Sequence, residues 1–121
     1  MGDLSTNFSS NEFRCKCGQC DPIEINPELI EHMQNLRDLV GKPITIHSGH
    51  RCARYNKRVG GASNSQHLYG NACDFSIAGI AHDDIQGYLI VRFAGRYGIG
   101  RYNTFTHFDV RGWEARWDNR G

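Results

Sequence analysis

Leu29, Met33, Leu36 and Val40 recur at intervals of four, three and four residues, the spacing of one apolar stripe on an α-helix. The flanks agree. Asn26 suits the N-cap, Pro27 the first helical position, Glu28 and Glu31 complement the positive end of the helix dipole, and Gly41 stops the run. The apolar period then drops to two. In "KPITIHSGHR" Ile44 and Ile46 share a face, which predicts a strand breaking at Ser48-Gly49. "CARYNKRVGG" predicts a short helix ended by two glycines, and "ASNSQHLYGN" a loop. "ACDFSI" predicts a strand with Ala72 and Asp74 on one face and Cys73 and Phe75 on the other. Helical spacing returns over about 82 to 96, through Ile85, Leu89, Arg92 or Phe93, and Arg96 or Tyr97. "GIGRY" turns into "TFTHFDVRG", whose alternation predicts a strand, and Trp113 and Trp117 close the chain in a terminal strand or turn. Near the start, "SSNEF" can open a short helical turn, with Ser9 or Ser10 as cap and Glu12 in the first turn. The order helix, strand, short helix, strand, helix, strand predicts an α+β fold with a small, largely antiparallel sheet packed with helices.

Composition narrows the function classes. The chain has 121 residues, 39% of them apolar, with a formal net charge of +1. That balance offers no electrostatic case for nucleic acid or an anionic membrane as the main partner. Length, with no internal repeat or low-complexity linker, predicts one domain over 1–121, its first 22 residues a cysteine-rich segment packed on the rest. A monomer is the default. No apolar run is long enough to span a bilayer. "MGDLSTNFSSNEF" has an early acidic residue and no apolar core, so it does not read as a signal peptide, and synthesis in the cytoplasm is expected. "MGDLST" also fits the N-myristoylation pattern, which is too short and common to decide anything.

Five cysteines are many for this length, and the number is odd. Without a secretion signal a disulfide framework is not the default, and metal binding or burial competes. Cys15, Cys17 and Cys20, in "CKCGQC", are close enough in sequence to share one metal, with Gly18 permitting a tight turn between them. Cys52, Cys73 or His32 could complete a tetrahedral site. A structural zinc, disulfides formed after release, and free thiols all stay open. Cys73 alternates away from Asp74 and is most simply a buried apolar residue.

The chemistry concentrates in "SQHLYGNACD". His67 precedes the predicted strand, Asp74 lies on it, and Gly70 lets the chain turn so that both side chains could converge. His107, on the later strand, could supply a third zinc ligand if the two strands pair, leaving a fourth position for water. From spacing alone this reading stands level with structural or surface histidines.

"SQHLYGNACD" fits S-x-H-x-x-G-x-A-x-D at Ser65, His67, Gly70, Ala72 and Asp74. It thereby resembles the signature of the zinc D-Ala-D-Ala carboxypeptidases and D,D-dipeptidases, which share their fold with the hedgehog signalling domain. "ITIHSGHRCARYNKRVGGASNSQHLYGNACDF" and "GIGRYNTFTHFDVRGWEARW" resemble the flanking segments of that family, particularly its short phage-type peptidoglycan peptidases, over about residues 9 to 117. The resemblance implies a hedgehog/DD-peptidase-like fold and a zinc ion on His67, Asp74 and His107. It implies an Arg51 that binds the scissile carbonyl and stabilises developing charge, with Ser65 and Gln66 beside the substrate. The implied activity is cleavage of peptidoglycan stem or cross-link peptides next to D-amino acids, as a carboxypeptidase or endopeptidase. The implied setting is a phage endolysin that reaches the wall through a holin.

Many members carry an acidic residue or histidine two or three positions before the third ligand, as general base. Here Thr104 and Phe105 stand there. Asp109 is the expected replacement, since residues two apart on a strand share a face roughly 7 Å apart. The alternative for Asp109 is a partner of a ligand, or an ion pair with Arg111 or Arg101. His50 stands in reserve as base, and His47 is read as structural. The rival to an enzyme is a non-catalytic zinc-binding wall or virion module.

Overall fold

A computed structural model describes residues 2–21 and 23–120; Met1 and Pro22, which bound the predicted N-terminal segment, and Gly121 lie outside the described residues. Along the chain run α1 (Ser10–Phe13), α2 (Pro27–Val40), β1 (Ile44–Ser48) and α3 (Ala53–Arg58). A single 3-10 turn (Gln66–Tyr69), β2 (Ala72–Ile77), α4 (His82–Arg92), β3 (Gly98–Arg101), β4 (Thr106–Asp109) and β5 (Ala115–Asp118) follow. The fold is α+β, with one sheet of order β1-β2-β4-β3-β5. Its pairings are antiparallel except β3 with β5.

Local chemistry accounts for the helix ends. The Asn26 side chain accepts from the Glu28 backbone N–H, and Gly41, at φ 63°, donates its own N–H to the Arg37 carbonyl. Leu29, Ile30, Met33 and Leu36 of α2 are buried, with Ile85 and Leu89 of α4 joining the same core. α4 ends at Arg92, short of the predicted 96. Phe93 and Tyr97 remain in the core, so their spacing of four imitates another helical turn. The backbone between them is a reversal instead, with Gly95 and Tyr97 in the left-handed region. That reversal delivers "GIGR" as strand β3 where a turn is expected, because its glycines carry no apolar alternation.

The predicted loop before β2 also differs, since Gln66–Tyr69 forms one helical turn capped by the Ser65 side chain, which accepts from the His67 N–H. The N-terminal segment is less polar in effect than it looks. Phe8 and Phe13 are 1% and 0% exposed, packed ring edge to ring face in the core. α1 carries the expected cap, with the Glu12 carboxylate accepting from the Ser9 N–H at 2.7 Å.

One face of the sheet packs on the helices through Ile44, Ile46, Cys73, Phe75, Ile77, Ile99 and Phe108. The opposite face carries polar side chains, with the densest set in one row across the sheet. A bulge between Ile46 and Ser48 shifts β1 by one residue and sets Ser48 opposite Asp74. Asp74 pairs with His107, His107 with Gly100, and Gly100 with Trp117. The next row on this face holds Ala72, Asp109, Gly98 and Ala115. Its small residues leave space that Asp109 fills.

Candidate metal centre

His67, Asp74 and His107 are brought together at the floor of a cleft of about 570 Å³. Their potential ligand atoms all lie within 4.8 Å of one another. Asp74 Oδ1 sits 3.3 Å from His67 Nε2 and 2.9 Å from His107 Nδ1. Zinc bonds of about 2.0–2.2 Å in a tetrahedron separate neighbouring donors by roughly 3.3–3.6 Å, so the His67 pair already has that spacing and the closer His107 pair needs only a slight opening to seat a zinc ion. His67 Nδ1 lies 2.6 Å from the Gly49 carbonyl, which can only accept. The proton is therefore on Nδ1, and Nε2 presents its lone pair to the centre. Burial works against a charged Asp74, but the hydrogen bond from His107 outweighs it and holds the carboxyl well below the usual carboxylate range.

Arg51 stands at the edge of this group. Its guanidinium donates to Ser48 Oγ at 3.1 Å, to Asn56 Oδ1 at 3.2 Å and to Asp74 Oδ2 at 3.2 Å. Three acceptors on three elements fix the plane of the fork while one side faces the cleft. Ser65 and Gln66 also line the cleft, as do Tyr102, Arg111 and Trp117.

Asp109 does not face the cleft as a free carboxylate would. It is 0% exposed. Arg111 clamps it through Nε at 2.8 Å and Nη2 at 2.7 Å, and its Oδ2 lies 2.6 Å from His107 Nε2. Burial again opposes the charge, and Arg111, followed by His107, overcomes it, holding this carboxyl well below the usual range. Both carboxylate oxygens are thus shared between Arg111 and His107. The reserve, His50, is buried in a different hollow lined by Phe13, Ile23 and Ile25. His47 binds Ser76 Oγ at 2.7 Å on the sheet edge. Among the described residues lining the cleft, Asp74 is the one carboxylate.

Several supporting residues escaped the sequence reading. Asn56 holds Arg51 and also donates to the Ala62 carbonyl at 2.8 Å, tying the cleft wall to α3. The Trp117 indole lies 4.9 Å from the His107 ring and donates to Tyr102 Oη at 2.9 Å. Gln86, fully buried, places its amide nitrogen 3.1 Å from the Tyr102 and Phe105 carbonyls and so fixes the loop that carries Tyr102. Arg111 and Asp109 do carry a readable signal, since period two in "HFDVR" puts His107, Asp109 and Arg111 on one face.

Gly98 and Gly100 are part of the same construction. A Cβ on Gly98 would lie 2.6 Å from Asp109 Cγ, and one on Gly100 would meet the Trp117 indole. Gly98→Ala is expected to cost about 1–3 kcal/mol by overpacking. A lower urea midpoint at unchanged m-value would register it.

A buried His-Asp-His donor set in an α+β sheet, open to a cleft and flanked by a fixed guanidinium, defines the class of zinc-centred proteins. The chain belongs to the peptidase M15 family, whose model matches residues 6–109. It is 35% identical over 96 residues to the zinc D-Ala-D-Ala carboxypeptidase of Streptomyces albus G, covering 69% of this chain and 35% of that protein. It is 34% identical over 93 residues to the peptidoglycan L,D-endopeptidase MepK of Escherichia coli K12, covering 71% of this chain and 51% of that protein. The chain thus spans about half or less of the curated relatives it matches. No helix among the described residues is long and apolar enough to cross a membrane.

Proposed function

We propose that this chain is a zinc peptidase of bacterial peptidoglycan, hydrolysing stem or cross-link peptides next to D-amino acids. The observation that carries the reading is the convergence of His67 Nε2, Asp74 Oδ1 and His107 Nδ1 beside the Arg51 guanidinium in one open cleft. His67, Asp74 and His107 hold the ion in this reading. Zinc bound there supplies an acidified water and a Lewis acid for the scissile carbonyl. Arg51 stabilises the negative charge that develops on the carbonyl oxygen, and its three acceptors keep it from reorganising as that charge appears. Ser65 and Gln66 contact the peptide along the cleft wall. Asp109 holds the His107 ring through Nε2, and Arg111 keeps Asp109 charged. The names of the two relatives support the peptidoglycan substrate. The resemblance to short phage-type peptidases supports a lysis enzyme released through a holin.

Purified peptidoglycan of several wall chemistries, incubated with the zinc-loaded chain, should release peptide fragments identifiable by mass. Intact walls in every case would remove the peptidase reading. In the same assay Arg51→Lys should lower kcat/KM by about 10²–10³-fold with zinc content unchanged, because a point charge cannot reproduce the fork.

A non-catalytic zinc-binding wall module is the second reading. The scarcity of free bases in the cleft favours it: among the described lining residues, Asp74 is the one carboxylate, and it belongs to the donor set. Binding to walls without cleavage would select this reading.

A further inference from the structure

Away from the cleft, the sulfurs of Cys15, Cys17, Cys20 and Cys52 all lie within 4.8 Å of one another. Cys52 Sγ is 3.8 Å from Cys17 Sγ. A tetrahedral zinc with Zn–S bonds of about 2.3 Å requires sulfurs roughly 3.8 Å apart, so the group already has the dimensions of one. We propose that these four cysteines form a second, structural zinc site that fastens the N-terminal segment to the loop bearing Arg51.

The backbone around the sulfurs is arranged for thiolates. The Gln19 N–H points at Cys17 Sγ (3.4 Å), the Cys52 N–H at Cys15 Sγ (3.3 Å) and the Tyr55 N–H at Cys52 Sγ (3.5 Å). Such donors spread the negative charge that four thiolates bring to one ion. Gly18, at φ 72°, turns the chain so that Cys17 and Cys20 face inward together. The other candidates for a fourth ligand lie elsewhere: Cys73 is in the core, and His32 packs edge to face with Phe93 and meets Tyr97 Oη at 3.1 Å. The odd cysteine count resolves into four ligands and one core residue.

The site sits where its rigidity reaches the cleft. Cys52 follows Arg51 directly, the His50 N–H donates to the Phe13 carbonyl at 2.7 Å, and the Gly49 carbonyl accepts from His67. Phe13 packs so closely on Gly49 that a Cβ there would fall 2.6 Å from its Cα. Fixing residues 15–20 against Cys52 therefore holds 49–51, and with them His67 Nδ1 and the base of the Arg51 side chain.

The full chain, purified under reductant with zinc, should carry two zinc ions by elemental analysis. His67→Ala should carry one, as should the Cys17→Ser/Cys20→Ser double variant, while Cys73→Ala keeps two. Cobalt-loaded His67→Ala should show intense near-ultraviolet sulfur-to-metal charge transfer, and thiol titration should count four additional reactive thiols after chelation. The His67 variant keeps the cysteines intact, so the cobalt spectrum decides even if the double variant does not fold. A His67→Ala variant that carries no zinc, a cobalt spectrum lacking sulfur charge transfer, or thiols already oxidised in the metal-free chain would overturn the site. Loss of the first zinc alone, in His67→Ala, bears on the peptidase reading and leaves this one standing.

Discussion

His67→Ala is expected to empty the His-Asp-His centre and to cut peptide hydrolysis by at least about 10³-fold, since zinc supplies several kcal/mol of transition-state stabilisation. The size of the effect follows from how the imidazole is held. With Nδ1 committed to the Gly49 carbonyl at 2.6 Å, Nε2 can only present a lone pair, 3.3 Å from Asp74 Oδ1. No neighbouring side chain can replace it, because Arg51 fills the other side of Asp74. Two ligands are too few to retain zinc against a chelator at concentrations that leave wild type loaded. Elemental analysis after dialysis reads occupancy, and the wall-digestion rate reads activity. A variant that keeps both would remove His67 from the centre. His67→Gln sharpens the result, restoring bulk and a hydrogen bond without the aromatic nitrogen, and is expected to recover stability but not zinc.

Side chains with strong periodicity were legible in advance, and those that act through absence were not. The stripe Leu29, Met33, Leu36 and the alternation of Ile44 with Ile46 report burial directly, and both elements lie where the pattern puts them. Strand β3 is half glycine, so nothing in its composition announces a strand. Its role appears only in three dimensions, where missing Cβ atoms at 98 and 100 accommodate Asp109 and Trp117. The bulge at Ser48 is equally silent, yet it moves Ser48 into the row of Asp74 and gives Arg51 an anchor. His67, Asp74 and His107 were readable as a set because one motif and one paired strand bring them together. For Asp109 the sequence leaves both a base and a partner of His107 open, because strand periodicity gives the face of a side chain but not which neighbours occupy its oxygens.

Asp109→Asn separates the two roles considered for that residue, and the expected outcome is loss of stability and of zinc affinity rather than loss of chemistry. The amide keeps the volume beside Gly98 but removes the charge that Arg111 grips with Nε and Nη2. A largely buried guanidinium without its counter-charge should cost about 3–5 kcal/mol. His107 Nε2 loses a carboxylate acceptor at 2.6 Å, which should weaken zinc binding by about 10–100-fold. The pH dependence of stability carries the same sign. The folded Asp109 carboxyl lies below its ordinary value, so its contribution is complete above about pH 4 and disappears as acid protonates it. The variant should therefore lose less stability than wild type between neutral pH and about pH 3. A general base predicts a different pattern: zinc affinity close to wild type, and a rate reduced by about 10²–10⁴-fold however much zinc is added. Competition with a chelator for zinc, paired with hydrolysis rates at saturating zinc, tells them apart. Recovery of most of the rate at saturating zinc identifies Asp109 as the residue that holds His107 in place. A persistent defect with normal zinc binding returns the proton to Asp109, and would require the Arg111 clamp to open when substrate enters the cleft.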